Sequence, residues 1–213
     1  MDGVRTVERL RDLVTRLHHQ PRRKLTLLVG IDGLRAAGKS TLTAGLAALD
    51  PSIVVVRLDD FSRPRRLRVP PEDRGERSEG GELGGDIDWR RLRNQVLLPL
   101  QRNRSGCYQR YDATIDDLTE WHDVPSGGIV LVEGLYACMK QLSYGYDFRV
   151  WVDAPADVRR RRLRTVGGDA LEEGPERAYV ELVAPPDWAD LLVDGAGTTR
   201  HDPAEEYVRI RPG

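Results

Sequence analysis

The chain has 213 residues, 39% hydrophobic and 31% charged, with a formal net charge of -1. That length suits one domain with its own core, and the composition excludes a disordered tail. Near-neutral charge, the absence of an 18-residue apolar run and a charged segment after Met1 point to a cytoplasmic protein without nucleic-acid or membrane partners.

Val4, Val7, Leu10, Leu13, Val14 and Leu17 recur at helical spacing, which predicts an amphipathic helix over residues 1–20. Lys24 to Asp32 (KLTLLVGID) is a nearly continuous apolar run, as in a strand buried on both faces of a parallel sheet. A glycine-rich turn follows, then a helix from about Lys39 to Leu49. Ile53 to Leu58 is a second buried strand that runs into Asp59 and Asp60. Residues 62–85 are rich in glycine, proline and charge and predict a mobile surface loop. A helix from about Trp89 to Gln101 comes next. Gly128 to Glu133 and Phe148 to Asp153 are the third and fourth strands, and Leu191 to Val193 is a short last one. Pro155 opens a helix carrying Arg159 to Arg164, within a lid region spanning 155–187. The expected fold is therefore α/β: a mostly parallel five-stranded sheet with helices on both faces. Cys107 and Cys138 offer neither a disulfide framework nor metal spacing and are expected reduced and buried.

Residues 33–40 (GLRAAGKS) match G-x-x-x-x-G-K-[ST], the Walker A pattern, between a predicted strand and a predicted helix. Glycines let backbone N–H groups wrap phosphate oxygens, and a helix N-terminus adds partial positive charge. Gly33, Ala36, Ala37, Gly38, Lys39, Ser40 and Thr41 are thus expected to hold the phosphates of a nucleoside triphosphate. Lys39 reaches the β- and γ-phosphates, and Ser40 ligates magnesium. Of the 33 basic residues only Lys24, Lys39 and Lys140 are lysines, so an ammonium here stands out. No Asn-Lys-x-Asp segment for reading guanine occurs.

Three strands end on acids, at Asp32, Asp59-Asp60 and Glu133, and parallel topology brings such ends to one edge. Asp59 is placed to accept a proton from an attacking hydroxyl, with Asp60 as its competitor. Glu133 is placed to hold magnesium.

The runs GIDGLRAAGKSTL, LDDF, YQRYD, VLVEGLYA and WVDAPADVRRRRL, in this order over about residues 25–195, resemble the uridine kinase-like P-loop kinases. Pantothenate kinase and phosphoribulokinase are related to that branch. The resemblance implies ATP and magnesium as cofactors, a small-molecule acceptor, and transfer to its hydroxyl with Asp59 as general base. It also implies acceptor contacts from Asp88 (with Asp86 close by), Tyr111 and Phe61, and an arginine lid in which Arg159 and Arg162 clamp the triphosphate. Ser62 stands where the family has tyrosine, and Asp116 where it has the base-reading histidine. The phosphate half therefore carries over more directly than the acceptor half. Trp121 and His122 lie near the acceptor segment, Trp121 with an expected core role. A kinase of another acceptor (pantothenate or sugar phosphate type) and a regulatory nucleotide-binding protein stay open, as does a homo-oligomer.

Overall fold

The computed structural model describes residues 3–68, 86–165 and 173–212. Its centre is β2 (Thr26–Asp32), every residue of which is buried. Alternation along β2 sends Leu27, Val29 and Ile31 to one face of the sheet and Leu28 to the other.

On the first face lie α1 (Leu10–His18) and α2 (Lys39–Leu49). Leu10, Leu13 and Leu17 of α1 join Leu42 and Leu46 of α2 over the strands. Their i, i+3, i+7 spacing makes one apolar stripe, and each buried leucine contributes about 1.5–3 kcal/mol. The second face is covered by α3 (Trp89–Leu92), a π turn (Arg93–Leu97), α4 (Leu98–Gln101) and α5 (Lys140–Ser143). The π turn sits where Pro99, lacking an N–H, cannot bond back to Gln95. On this face too is Tyr179 of α7 (Glu173–Val183). Among the described residues no helix is long and apolar enough to cross a membrane.

The main sheet has seven strands rather than the expected five, and it is mixed. Its order is β1-β9-β8-β7-β2-β6-β3. The five expected strands are present as β2, β3 (Val54–Arg57), β6 (Gly128–Glu133), β7 (Phe148–Asp153) and β8 (Leu191–Asp194), all parallel. Two more, β1 (Val4–Arg9) and β9 (Glu206–Arg211), add antiparallel to one edge. The predicted N-terminal helix is thus corrected: its first part is a strand, and only Leu10–His18 is helical. Val4 and Val7 are exposed, so their helical spacing with Leu10 reflects no common buried face. Pairing with β9 supplies the backbone partners instead, and Glu8 accepts a hydrogen bond from Tyr207 across the pair.

A separate two-stranded hairpin, β4 (Gly106–Asp112) and β5 (Asp117–Val124), was not expected. Trp121 is 62% exposed on it, not in the core, and Cys107 is exposed as well. Cys138 is buried, and both cysteines are free. Of the loop expected at 62–85, residues 69–85 lie outside the described residues, as do 166–172 of the lid region.

Candidate active site

Parallel register sets the site. Ile31 of β2 and Arg57 of β3 both pair with Glu133 of β6, so three strand ends arrive level. Immediately beyond β2 the chain enters the loop that leads to α2. Gly33 packs so tightly there that a Cβ would lie 2.3 Å from the Val152 carbonyl oxygen, which only glycine avoids. Gly38 takes a φ of +113°, a conformation that L side chains rarely adopt, and α2 starts at the next residue. Among the described residues, the amides of Gly38, Lys39, Ser40 and Thr41 make no hydrogen bond. Four free donors at a helix N-terminus, with the dipole behind them, fit a polyphosphate.

Lys39 is buried and arches back over the loop, donating to the carbonyls of Gly33 (2.8 Å) and Leu34 (3.0 Å). Burial pulls its pKa down, while the charges of Asp32, Glu133 and Asp59 oppose that shift. Ser40 Oγ donates to Glu133 at 3.3 Å. Burial raises the Glu133 carboxyl above its ordinary value; Lys39 pulls it back, and Asp59 adds like-charge repulsion. Asp59 is therefore near enough for its charge to act on both residues.

Asp59 and Asp60 share a 3₁₀ turn, Leu58–Phe61, but differ in environment. Asp60 is buried, accepts from Tyr108 Oη at 2.9 Å and pairs with Arg110 at 3.3 Å. Asp59 is exposed, and its carboxylate has no hydrogen bond or ion pair among the described residues. Of the two, Asp59 has the uncommitted carboxylate among the described residues.

Two clefts open from the loop. One, of about 480 Å³, is lined by Gly38, Thr41, Arg162, Gly195 and His201. The other, of about 360 Å³, runs from Ser40 and Glu133 to Asp60, Tyr108, Arg110 and His122.

No protein-family model matches the chain. A uridine kinase of Chlamydia pneumoniae is 27% identical over 198 residues, covering 80% of this chain and 82% of that protein. Inorganic pyrophosphatase TTM2 of Arabidopsis thaliana is 27% identical over 142 residues, 66% of this chain. The chain spans only about a fifth of that pyrophosphatase, 20% of its length. A solved structure described as a possible uridine kinase from Bacillus stearothermophilus superposes with a TM-score of 0.65 at 21% identity. That superposition covers 86% of this chain and 96% of the other.

The chain has the fold of the P-loop small-molecule kinases.

Within this kinase fold the expected site residues divide. Lys39, Ser40, Asp59 and Glu133 come together as described. Arg162 of α6 (Ala156–Thr165) also reaches the loop, donating from Nη1 to Ala36 O (3.0 Å) and from Nη2 to Gly195 O (2.7 Å). Arg159, expected beside it as a clamp, is buried instead. Its guanidinium donates to Glu176 of α7 at 2.6 Å and to Ala154 O at 3.2 Å, which leaves it committed to the scaffold.

The residues expected on the acceptor side are engaged with the protein itself. Phe61 is fully buried, its ring tilted against Tyr108 with centroids 4.6 Å apart, so it lies behind Tyr108 in the core. Tyr111 donates to Asp116 at 2.7 Å, away from the cleft that Ser40 and Glu133 share. Asp88 caps α3 through the Arg91 amide. Sequence reasoning missed Tyr108 and Arg110. Their signal was the alternation on either side of a polar turn at residues 112–117, which marks a hairpin with one face toward the site.

Proposed function

We propose that the chain transfers the terminal phosphoryl group of ATP to a hydroxyl of a small molecule. Kinases recur among relatives in sequence and in fold, which supports ATP-dependent kinase activity. The observation that carries the reading is the meeting of Lys39, Ser40, Glu133 and exposed Asp59 at three level strand ends.

The loop amides and the α2 N-terminus receive the β- and γ-phosphates. Lys39 exchanges the Gly33 and Leu34 carbonyls for phosphate oxygens, an exchange that replaces neutral acceptors with charged ones. Ser40 and Glu133 would hold magnesium, which when bound neutralises charge on the phosphate oxygens. Among the described residues no group of three or more metal-binding side chains occurs, and magnesium typically uses one or two carboxylates with substrate phosphates. Asp59 accepts the proton as the acceptor oxygen bonds to the γ-phosphorus and the bond to the bridging oxygen breaks. Arg162 approaches the loop from α6 and serves as the lid contact.

A nucleoside is the acceptor that the resemblance implies. The buried Phe61, the engaged Tyr111, Ser62 and Asp116 support a different alcohol. Incubation with ATP, magnesium and a panel of nucleosides, vitamins and sugars tests the reading through ADP release and a phosphorylated product. Tight ATP binding with no transfer to any acceptor would replace the enzyme with a nucleotide-binding regulator.

A further inference from the structure

A cleft of about 610 Å³ lies apart from the P-loop, between residues 62–67, the α3 and π-turn helix, and the start of β5. Arg63, Arg66, Arg90 and Arg91 line it, against two acids, Asp88 and Asp117. Both acids are engaged. Asp117 pairs with Arg66 at 3.0 Å, and Asp88 accepts the Arg91 amide at 3.1 Å. Arg90 stacks on Trp89, its guanidinium 4.5 Å from the ring centre.

Arg63 and Arg91 keep unused donor capacity, although Arg91 lies over the Phe61 ring (4.9 Å) and uses Nη2 elsewhere. Among the described residues, the Nε of each is buried without a hydrogen-bond partner, and so is Gln95 Oε1 in the same wall. Seven such side-chain atoms occur among the described residues, and three of them gather here. Orphaned polar atoms are rare in folded chains because desolvation goes uncompensated, so their clustering marks a place built to receive a polar group. Burial also lowers the Arg91 pKa, with Asp88 and Asp60 offsetting part of that cost.

The cleft shares its wall with the turn that presents Asp59. Ser62 N–H donates to Asp59 O (3.0 Å), Asp88 N–H to Phe61 O (2.8 Å) and Arg91 Nη2 to Asp60 O (2.7 Å). Three hydrogen bonds thus tie the wall of this arginine-lined cleft to the backbone of the turn that carries Asp59.

We infer that the cleft binds the non-reacting end of the acceptor, and that this end is a phosphate or carboxylate beside a hydroxyl or amide donor. Guanidinium forks match such anions, and the donor fills the vacant acceptor capacity of Gln95. Sugar phosphates and hydroxy acids have this chemistry; a neutral nucleoside does not. That the anion is the acceptor's rests on the kinase reading; that an anion binds here does not.

Arginine side-chain NMR decides the anion site, in protein saturated with magnesium and a non-hydrolysable ATP analogue so that the P-loop is filled. On titrating inorganic phosphate, the Nε–H signals of Arg63 and Arg91 are expected to shift saturably. The Kd should weaken at least tenfold in both Arg63→Gln and Arg91→Gln, each checked for unchanged analogue binding. Signals that stay fixed throughout, or a Kd untouched by either substitution, overturn the site. Transfer from ATP to matched alcohols (glycerate against glycerol, ribose 5-phosphate against ribose) decides the acceptor class. An anionic member should exceed its neutral partner at least tenfold in kcat/KM, a preference that Arg91→Gln shrinks. Neutral partners or nucleosides turned over equally well would overturn the anionic acceptor while leaving the kinase reading intact. An analogue that fails to bind would count against the P-loop reading, and phosphate titration of the unliganded protein would still decide the cleft.

Discussion

The Tyr179 hydroxyl, on α7, donates to the Asp32 carboxylate at the end of β2. The same carboxylate accepts the amides of Gly33 (2.6 Å), Cys138 (2.7 Å) and Tyr136 (3.1 Å). One fully buried acid thus ties together the first residue of the phosphate loop, the turn after β6, and α7. Burial raises its pKa even though the Tyr179, Cys138 and Gly33 donors and the Lys39 charge pull the other way. One helical turn before Tyr179, Glu176 accepts the Arg35 amide at 3.3 Å and the Arg159 guanidinium at 2.6 Å. Two points on α7 therefore hold two points of the loop.

Tyr179→Phe removes one donor from that carboxylate and leaves the packing of the ring. A hydrogen bond to a charged group contributes about 1.5–3 kcal/mol, so unfolding in urea should show a loss of that size. ATP affinity should fall several-fold as Gly33 loosens. An unchanged midpoint and affinity would show that α7 does not hold the loop through Asp32.

Arg159 and Glu176 are buried together, at 6% and 2% exposure. Removing one partner strands the other charge, which costs about 3–5 kcal/mol. Arg159→Ala and Glu176→Ala should each destabilise by about that much, and the double substitution by much less than their sum. Additive losses would mean that the pair does not act as a unit.

On the proposed reading the two neighbouring aspartates separate chemistry from architecture. Asp59→Asn should keep ATP binding and thermal stability yet lower turnover by about 10² to 10⁴, the range of a general base. Asp60→Asn should cost stability, since it loses charge against Tyr108 and Arg110, and affect turnover less. Lys39→Ala should lose nucleotide binding itself, measured by calorimetry. Full turnover in Asp59→Asn would move the base elsewhere.

What could be read from the sequence was what local pattern encodes. The five parallel strands each carry their own apolar run, and the Walker A spacing located the loop and the start of α2 at Lys39. β1 and β9 pair across the whole chain, so their partners lie outside any local window. Val4 and Val7 mimicked a helix because the stripe of α1 continued their spacing. Arginine pattern alone likewise could not separate Arg162, which faces the loop, from Arg159, which faces Glu176. One helix turn carries both, and only the packing of α7 distinguishes them. Phe61 followed its aspartate as the family motif has it, but the 3₁₀ turn rotates it into the core.

Glu133 gives a pH dependence whose sign follows from its burial. Its folded pKa lies above the unfolded value, so the folded chain keeps a proton that the unfolded chain has already lost. The stability this contributes is fully present below the ordinary glutamate range and is lost as pH rises through the raised value. Glu133→Gln, which cannot titrate, should flatten that part of the stability profile measured by urea unfolding from pH 4 to 8. In the proposed role as magnesium ligand Glu133 must be ionised, so metal-dependent ATP affinity should rise over the same window and protons should be released on binding. With magnesium and ATP bound, the stability loss should shrink or reverse, because ligation favours the charged form that burial disfavours. Matching profiles for the wild type and Glu133→Gln would mean that Glu133 is not the group that titrates.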